Sequence, residues 1–597
     1  MLLVVWALGG LVLLILLPVV VTLAQEVVTR WKYRHIPGPP QRWLTGNLQD
    51  MLKHGMLSCI DRWAEAYGPL FGFRLMGRMF VVVADVDAVR TALYKITNHA
   101  MLANPNMHLV TNDLRSLDTN GLLLAKDEYW RWVRNAWQPA FSPASLRGYQ
   151  GLMDREALAL ATRLEARVRL AAAAEGGAEA GAGAETEGGD CPTPQPIRGG
   201  HAEAEVLAEM SRITLAVVGS SAYGVDFSSP EFKASGRASG AGGDLSLVDA
   251  CNDWFRTMSP SCRSRWAIAT AFPCVLPLVQ RVACALPDRV LGMHLKARHV
   301  LRDTALRLVR DWRARGPATT PSTTAAATGQ PNGDKALAKA TEPAAPAPAA
   351  PAVAPGSFLG LMLAARDKST GQALTDVQLI SQVQTFVLGG FETTANALTF
   401  AVYLLATNPD KAERLMREVD ALLPPPSQGA ELTDELLDKL VYTEAVVQEA
   451  LRLFPPAHAT SRESDKDISL CGFTVPAHAT IFIPINHLHR SEQLWPDAKS
   501  FRPERFLPGA CPAAGVSAAE VEGLAARHGS AFAPFGSGTR MCVGWRFAMQ
   551  EAKTVLARLY QRLSFELPPG HPPFETVAGL TLAPKGSFRV RVLLRGK

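Results

Sequence analysis

The chain has 597 residues, 48% hydrophobic and 19% charged, with a net charge of +6. That much apolar material excludes a chain disordered throughout, and the slight basic excess, with no Lys/Arg block, argues against a nucleic-acid partner. The nine cysteines are odd in number and contain no C-x-x-C, which excludes a disulfide framework or a structural zinc site and fits a reducing compartment.

From Leu2 to Ala24 there is no charged residue. At about 1.5 Å of rise per residue such a helix spans about 34 Å, enough to cross a bilayer core. A cleaved signal peptide would carry basic residues ahead of a shorter apolar run, whereas here Arg30, Lys32 and Arg34 follow it. Residues 1–24 are therefore expected to form a transmembrane anchor, with the body on the cytoplasmic side. Pro18 within the span is tolerable in a membrane helix. Residues 25–40 read as a basic juxtamembrane segment ending in Ile36-Pro37-Gly38-Pro39-Pro40, whose prolines predict a stiff, extended hinge.

Residues 41–597 read as one helix-dominated domain with small β elements. A helix is predicted over Leu57 to Tyr67, then a hairpin of Gly72–Leu75 and Met79–Ala84 around Met76-Gly77-Arg78. Trp130-Arg131-Trp132-Val133-Arg134 comes next. Residues 171–205 are rich in Ala, Gly and Glu, and residues 317–355 in Ala, Pro and Thr. Neither stretch can bury enough surface to offset the entropy of ordering, so both are expected as disordered insertions, with 508–530 a weaker third.

Thr375-Asp376-Val377-Gln378 has the form of a capping box and opens a helix that Asn408-Pro409 closes. Inside it, Gly389 and Gly390 each cost about 1 kcal/mol relative to Ala, which points to a ligand approaching the backbone. Thr393, four residues after Gly389, can bond that carbonyl and distort the helix locally. Glu449 and Arg452 share one helix face and can pair. A strand pair is expected at Ile468–Leu470 and Thr480–Ile483, with turn signals at Cys471-Gly472 and Val475-Pro476. The stretch Phe535 to Gly544 has two glycines before Cys542 and one after, a backbone able to turn tightly and approach a flat ligand. A thiolate there needs nearby N–H donors and positive charge. Arg540 can supply the charge, and the helical pattern from Arg546 to Leu563 would aim its N-terminus at the sulfur.

The last of these stretches, F-x-x-G-x-R-x-C-x-G, resembles the haem-binding loop of the cytochrome P-450 superfamily at every fixed position. Gly389-Gly390-Phe391-Glu392-Thr393-Thr394 is similar to that family's A/G-G-x-D/E-T-T motif. Glu449-x-x-Arg452, Phe501-Arg502-Pro503-Glu504-Arg505-Phe506 and Trp130-x-x-x-Arg134 resemble its other motifs in kind and order. The family often has a second basic residue where this chain has Asn135. The resemblance covers residues 37–597, and the two main insertions account for an unusually long interval between Trp130 and Glu392.

The resemblance implies a mainly α fold with small β-sheets, a triangular helix-rich haem domain behind an N-terminal transmembrane helix. It implies haem b, with Cys542 as the axial ligand of the iron. Trp130, Arg134, Arg462 and Arg540 would reach the propionates, and Phe535, Gly389 and Gly390 would lie against the cofactor. Thr393 would hydrogen-bond dioxygen and Glu392 would relay protons from solvent. Glu449, Arg452 and Arg505 would form a structural core. His108, Phe391, Ala459 and Thr460 would line the substrate pocket. The activity implied is a monooxygenase that inserts one atom of dioxygen into a lipophilic small molecule, with electrons from NADPH through a reductase. Its place would be the endoplasmic reticulum membrane, with the catalytic domain in the cytosol. A reductase-independent peroxide isomerase or dehydratase of the same fold and a non-enzymatic haem-binding membrane protein are the alternatives. The presence of both Glu392 and Thr393 favours the oxygenase.

Overall fold

The computed structural model describes residues 2–100 (Met76 apart), 107–180 (His108 and Thr111 apart), 201–227, 245–259, 262–267, 275–315, 357–507 (368–369 apart) and 531–595; side chains of residues 2–16 lie outside this set. The architecture is mainly α with small sheets, as expected. Its central element is the helix Asp376–Thr407, opened by the expected capping box of Thr375 and Gln378. That helix is apolar over most of its circumference and contributes to both large core clusters, the pattern of a helix buried on all sides.

The hairpin forms as strands β1 (Leu70–Leu75) and β2 (Arg78–Val83), antiparallel from Leu70↔Val83 to Leu75↔Arg78. The later strand pair differs from expectation. With β3 (His201–Glu205) and β4 (Thr460–Glu463) counted first, Ile468–Leu470 is β5, and it pairs with β6 (Phe473–Val475). The strand Thr480–Ile483, β7, instead runs parallel to β2 and antiparallel to β4, giving the order β1-β2-β7-β4. Local turn signals marked these strands but did not select their partners, because pairing is decided by which apolar faces meet across the chain.

The stretch 171–205, expected to be disordered, is structured at both ends. The helix Pro143–Ala180 runs into it, and β3 pairs with the C-terminal strand Arg589–Leu594. Alternation explains the correction: Ala204 is buried while Glu203 is exposed, so five residues suffice once a partner strand supplies hydrogen bonds. Residues 181–200, 317–355 and 508–530 of the expected insertions lie outside the described residues.

The N-terminal segment forms a helix, Leu2–Lys32. Among the described residues no helix is long and apolar enough to cross a membrane, and most of the expected anchor falls where side chains are not described. The end of this helix is docked onto the body. Glu26, 4% exposed, accepts hydrogen bonds from Arg30, from the Leu44 amide (2.8 Å) and from Arg74, a fully buried residue of β1. The Pro-rich segment is correspondingly no free hinge. The Gly72 amide donates to the Pro37 carbonyl at 2.7 Å, and a Cβ on Gly38 would come within 2.1 Å of the Gly72 oxygen.

Candidate active site

The loop ahead of the helix Trp545–Arg562 is closed by the Cys542 amide donating to the Phe535 carbonyl at 2.9 Å. Gly538 has φ +69°, and a Cβ there would come within 2.4 Å of the Leu93 carbonyl oxygen, so only glycine fits this turn. Cys542 has accessible surface although protein surrounds it, because that surface faces an interior cavity. Burial pushes its thiol up, while the Gly544 amide and the Arg134 guanidinium favour the thiolate. It forms no disulfide, and neither do Cys59, Cys251 and Cys471.

The cavity has a volume of about 940 Å³ and a mostly apolar wall. Gly389, Gly390 and Thr393 of the long helix form one side, with Cys542 and Phe535 also in the wall. The two glycines serve different purposes. A Cβ on Gly390 would press to 2.8 Å on Val218 of the neighbouring helix, whereas one on Gly389 would meet nothing within 4 Å. The Thr393 hydroxyl donates to the Gly389 carbonyl at 2.7 Å, as expected. The expected distortion does not follow, since the helix stays α-helical across the site. Ala459 and Thr460 line the cavity as expected.

Trp130, Arg134, Arg462 and Arg540 all reach the same wall. Arg462 is 1% exposed, and burial lowers its pKa to about 10; among the described residues no carboxylate opposes the shift and its Nε has no hydrogen-bond partner. Arg540 falls to about 9, chiefly through burial and then through repulsion from Arg462 and Arg134. It stacks 4.1 Å above the Trp130 ring and donates to the carbonyls of Thr97 and Ala125, so it also ties the cysteine loop to the segment before the Trp130 helix. Asp118 is the one carboxylate among the described wall residues, and Arg298 pairs with it at 2.8 Å. A set of guanidinium groups this short of counter-charge fits a dianionic ligand such as the paired propionates of haem, with the Cys542 thiol in the same wall.

His99 belongs to this cluster and no motif pointed to it. Its Nδ1 lies 3.2 Å from Arg462 Nη1 and 3.0 Å from the Ser461 carbonyl. Burial, then Arg462 and Arg540, lower its pKa to about 3, so the ring is neutral. It stands two residues after Thr97 in an irregular stretch with no periodicity to flag it.

Three further site residues were expected, Glu392, Phe391 and His108. Glu392 is half-buried, and its Oε2 accepts a 2.6 Å hydrogen bond from Thr581. Burial raises its pKa to about 8, with Thr581 and Asn396 opposing. Phe391 is fully buried in the core and does not line the cavity, while Phe386, five positions earlier, does. The place of Phe391 follows from helix geometry, which puts it nearly opposite the face carrying 386, 389, 390 and 393. His108 lies outside the described residues.

The Glu449 triad stands away from the cavity wall, with the Glu449 and Arg452 side chains fully enclosed. Arg452 Nε meets Glu449 Oε2 at 2.7 Å, and Arg505 Nε meets Oε1 at 3.3 Å. Arg452 Nη1 also donates to the carbonyls of His489 and Ala498, both at 2.8 Å. The group stitches the helix Val441–Leu453 to the segment around Pro503–Phe506.

Comparison with known proteins found the family model described as "Cytochrome P450" matching residues 36–174 and 344–589. Among curated relatives, cytochrome P450 4A24 of Sus scrofa is 36% identical over 220 residues, covering 37% of this chain and 40% of the relative. Taurochenodeoxycholic 6 alpha-hydroxylase of Sus scrofa is 34% identical over 236 residues, covering 39% of this chain and 43% of the relative. Cytochrome P450 3A19 of Capra hircus aegagrus is 37% identical over 190 residues, covering 32% of this chain and 80% of the relative. The chain thus spans less than half the length of the first two of these relatives.

Proposed function

The chain belongs to the cytochrome P450 family, and from that premise we propose that it is a haem-thiolate monooxygenase acting on a lipophilic small molecule. The observation that carries this reading is the meeting, in one apolar cavity, of the Cys542 thiol, the Gly389–Thr393 face and a guanidinium cluster short of counter-charge. Haem, when bound, supplies the one-electron and dioxygen chemistry, with the cysteine thiolate as electron donor to the iron.

The protein's own part is binding, orientation and proton handling. Arg134, Arg462 and Arg540 would hold the haem propionates, with Trp130 packed against Arg540. Gly389 borders open space in the cavity, where a Cβ would meet nothing within 4 Å, and it would leave room beside the cofactor. Thr393 presents its hydroxyl to that space while its hydrogen bond to Gly389 fixes the rotamer. The apolar wall excludes water and receives a lipophilic substrate, with Ala459, Thr460 and Phe386 among the residues that contact it. Electrons come from NADPH through a reductase, and dependence on both separates this reading from a peroxide isomerase of the same fold. The uncharged run Leu2 to Ala24, followed by Arg30, Lys32 and Arg34, supports a single-pass anchor in the endoplasmic reticulum membrane with a cytosolic body.

The test is the reduced carbon monoxide spectrum of the haem-loaded protein. Wild type is expected to give the red-shifted band of a thiolate ligand, and Cys542→Ser to lose it. A band in wild type characteristic of imidazole ligation would overturn the assignment.

A further inference from the structure

We propose that Thr581 is a positioning residue for the acid Glu392, and that the turn Gly579–Thr581 is the element through which occupancy of the cavity controls that acid. The proposal rests on the monooxygenase reading and adds to it a residue outside the motifs that carry it.

Glu392 lies between Phe391, which is buried in the core, and Thr393, which lines the cavity. Its Oε2 accepts from the Thr581 hydroxyl at 2.6 Å. Thr581 is itself a wall residue, and so are Gly579 and Leu580; the three connect the strands Thr576–Ala578 and Leu582–Pro584. The same turn is gripped from its other side, where His458 Nε2 meets the Gly579 carbonyl at 3.0 Å and the Leu582 amide donates to Pro456 at 2.8 Å. A molecule that fills the cavity therefore presses on a short turn whose next contact is the acid.

The groups around Glu392 keep it protonated. Burial raises its pKa to about 8, and only Thr581 and Asn396 favour the charged form. Cys251, on the facing helix Leu247–Thr257, is fully buried with its thiol pushed up, so it brings no compensating charge. His458 is neutral because burial lowers its pKa. No cation acts on Glu392 among the described residues. At neutral pH the residue is thus a stored proton. When the carboxyl yields that proton toward the Thr393 side it is left as a carboxylate, and it regains a proton from water. The Thr581 hydrogen bond is the largest interaction easing the ionised state, so displacement of the turn changes how readily the proton leaves.

The experiment follows the carboxylic C=O stretch by infrared difference spectroscopy while the full-length, haem-loaded protein is titrated with base. A band present in wild type and missing from Glu392→Gln is expected to vanish with a midpoint near pH 8. In Thr581→Val the midpoint should rise by about one pH unit, and in Thr581→Ser it should return toward wild type. Thr581→Ala serves as a second hydroxyl-free variant where valine disturbs the wall. An unchanged midpoint in both hydroxyl-free variants, or no band lost in Glu392→Gln, overturns the proposal. The carbon monoxide spectrum of each variant reports separately on Cys542, so failure of the titration and failure of the monooxygenase reading are distinct results.

Discussion

Glu449 and Arg452 have no exposed side-chain surface, and Arg505 has almost none. Removing one partner of such a group leaves an uncompensated buried charge, which costs about 3–5 kcal/mol. Glu449→Gln is accordingly expected to lower the unfolding free energy by that amount, with haem loss tracking unfolding; a melt within error of wild type would show that the triad is not structural. Thr393→Ala is a contrasting case, because its hydroxyl bonds only its own helix. It should retain haem and stability yet divert NADPH-derived electrons from product to peroxide, lowering product per NADPH roughly tenfold or more. Residue types at both sites were legible in the sequence as motifs. Their partners were not: Glu392 and Thr393 are neighbours, yet one is bonded to Thr581 and the other to the Gly389 carbonyl of its own helix.

Among the elements, the N-terminal helix has a role its apolar run did not announce. Glu26 is its one buried acidic side chain, and it meets Arg74, which is fully enclosed on β1. The contact lies ahead of residue 36, where the family model begins its match. Glu26→Ala strands a buried guanidinium, so it should cost roughly 3 kcal/mol in chemical denaturation of the body itself. If the body unfolds at the same denaturant concentration in wild type and variant, the helix is only a tether. The strand His201–Glu205 makes the same point from another side. Its composition reads as low complexity, but pairing with Arg589–Leu594, nearly 400 positions away in sequence, satisfies its backbone. An element whose partner is that remote leaves no signal in a local window.

Across the whole molecule, burial concentrates neutral histidines. His294 and His489 are each lowered to about 3, mainly by burial, with Arg298 and Arg452 respectively adding repulsion. His489 Nε2 accepts from the Ala533 amide at 3.0 Å and so cannot carry a proton there. As pH falls below 6.5 the unfolded chain gains protons that the folded chain refuses, so stability is present above that value and declines toward pH 3. Thermal melts from pH 7 to pH 5 should therefore show a falling midpoint, and His489→Asn should flatten part of that slope. A midpoint constant over that interval would mean the two rings do not titrate as their burial requires.

The helix-dominated class, the capping box, the hairpin and the cysteine loop were all determined by the order of residues alone. Each depends on interactions within a few positions, where side-chain chemistry and backbone propensity act directly. Only the tertiary structure decided which strands pair, that His99 joins the arginines, that Phe391 packs into the core instead of lining the cavity, and that Glu392 answers to Thr581. Those outcomes turn on which face of an element meets a distant partner and on how much water the meeting expels, quantities that no short window of sequence contains.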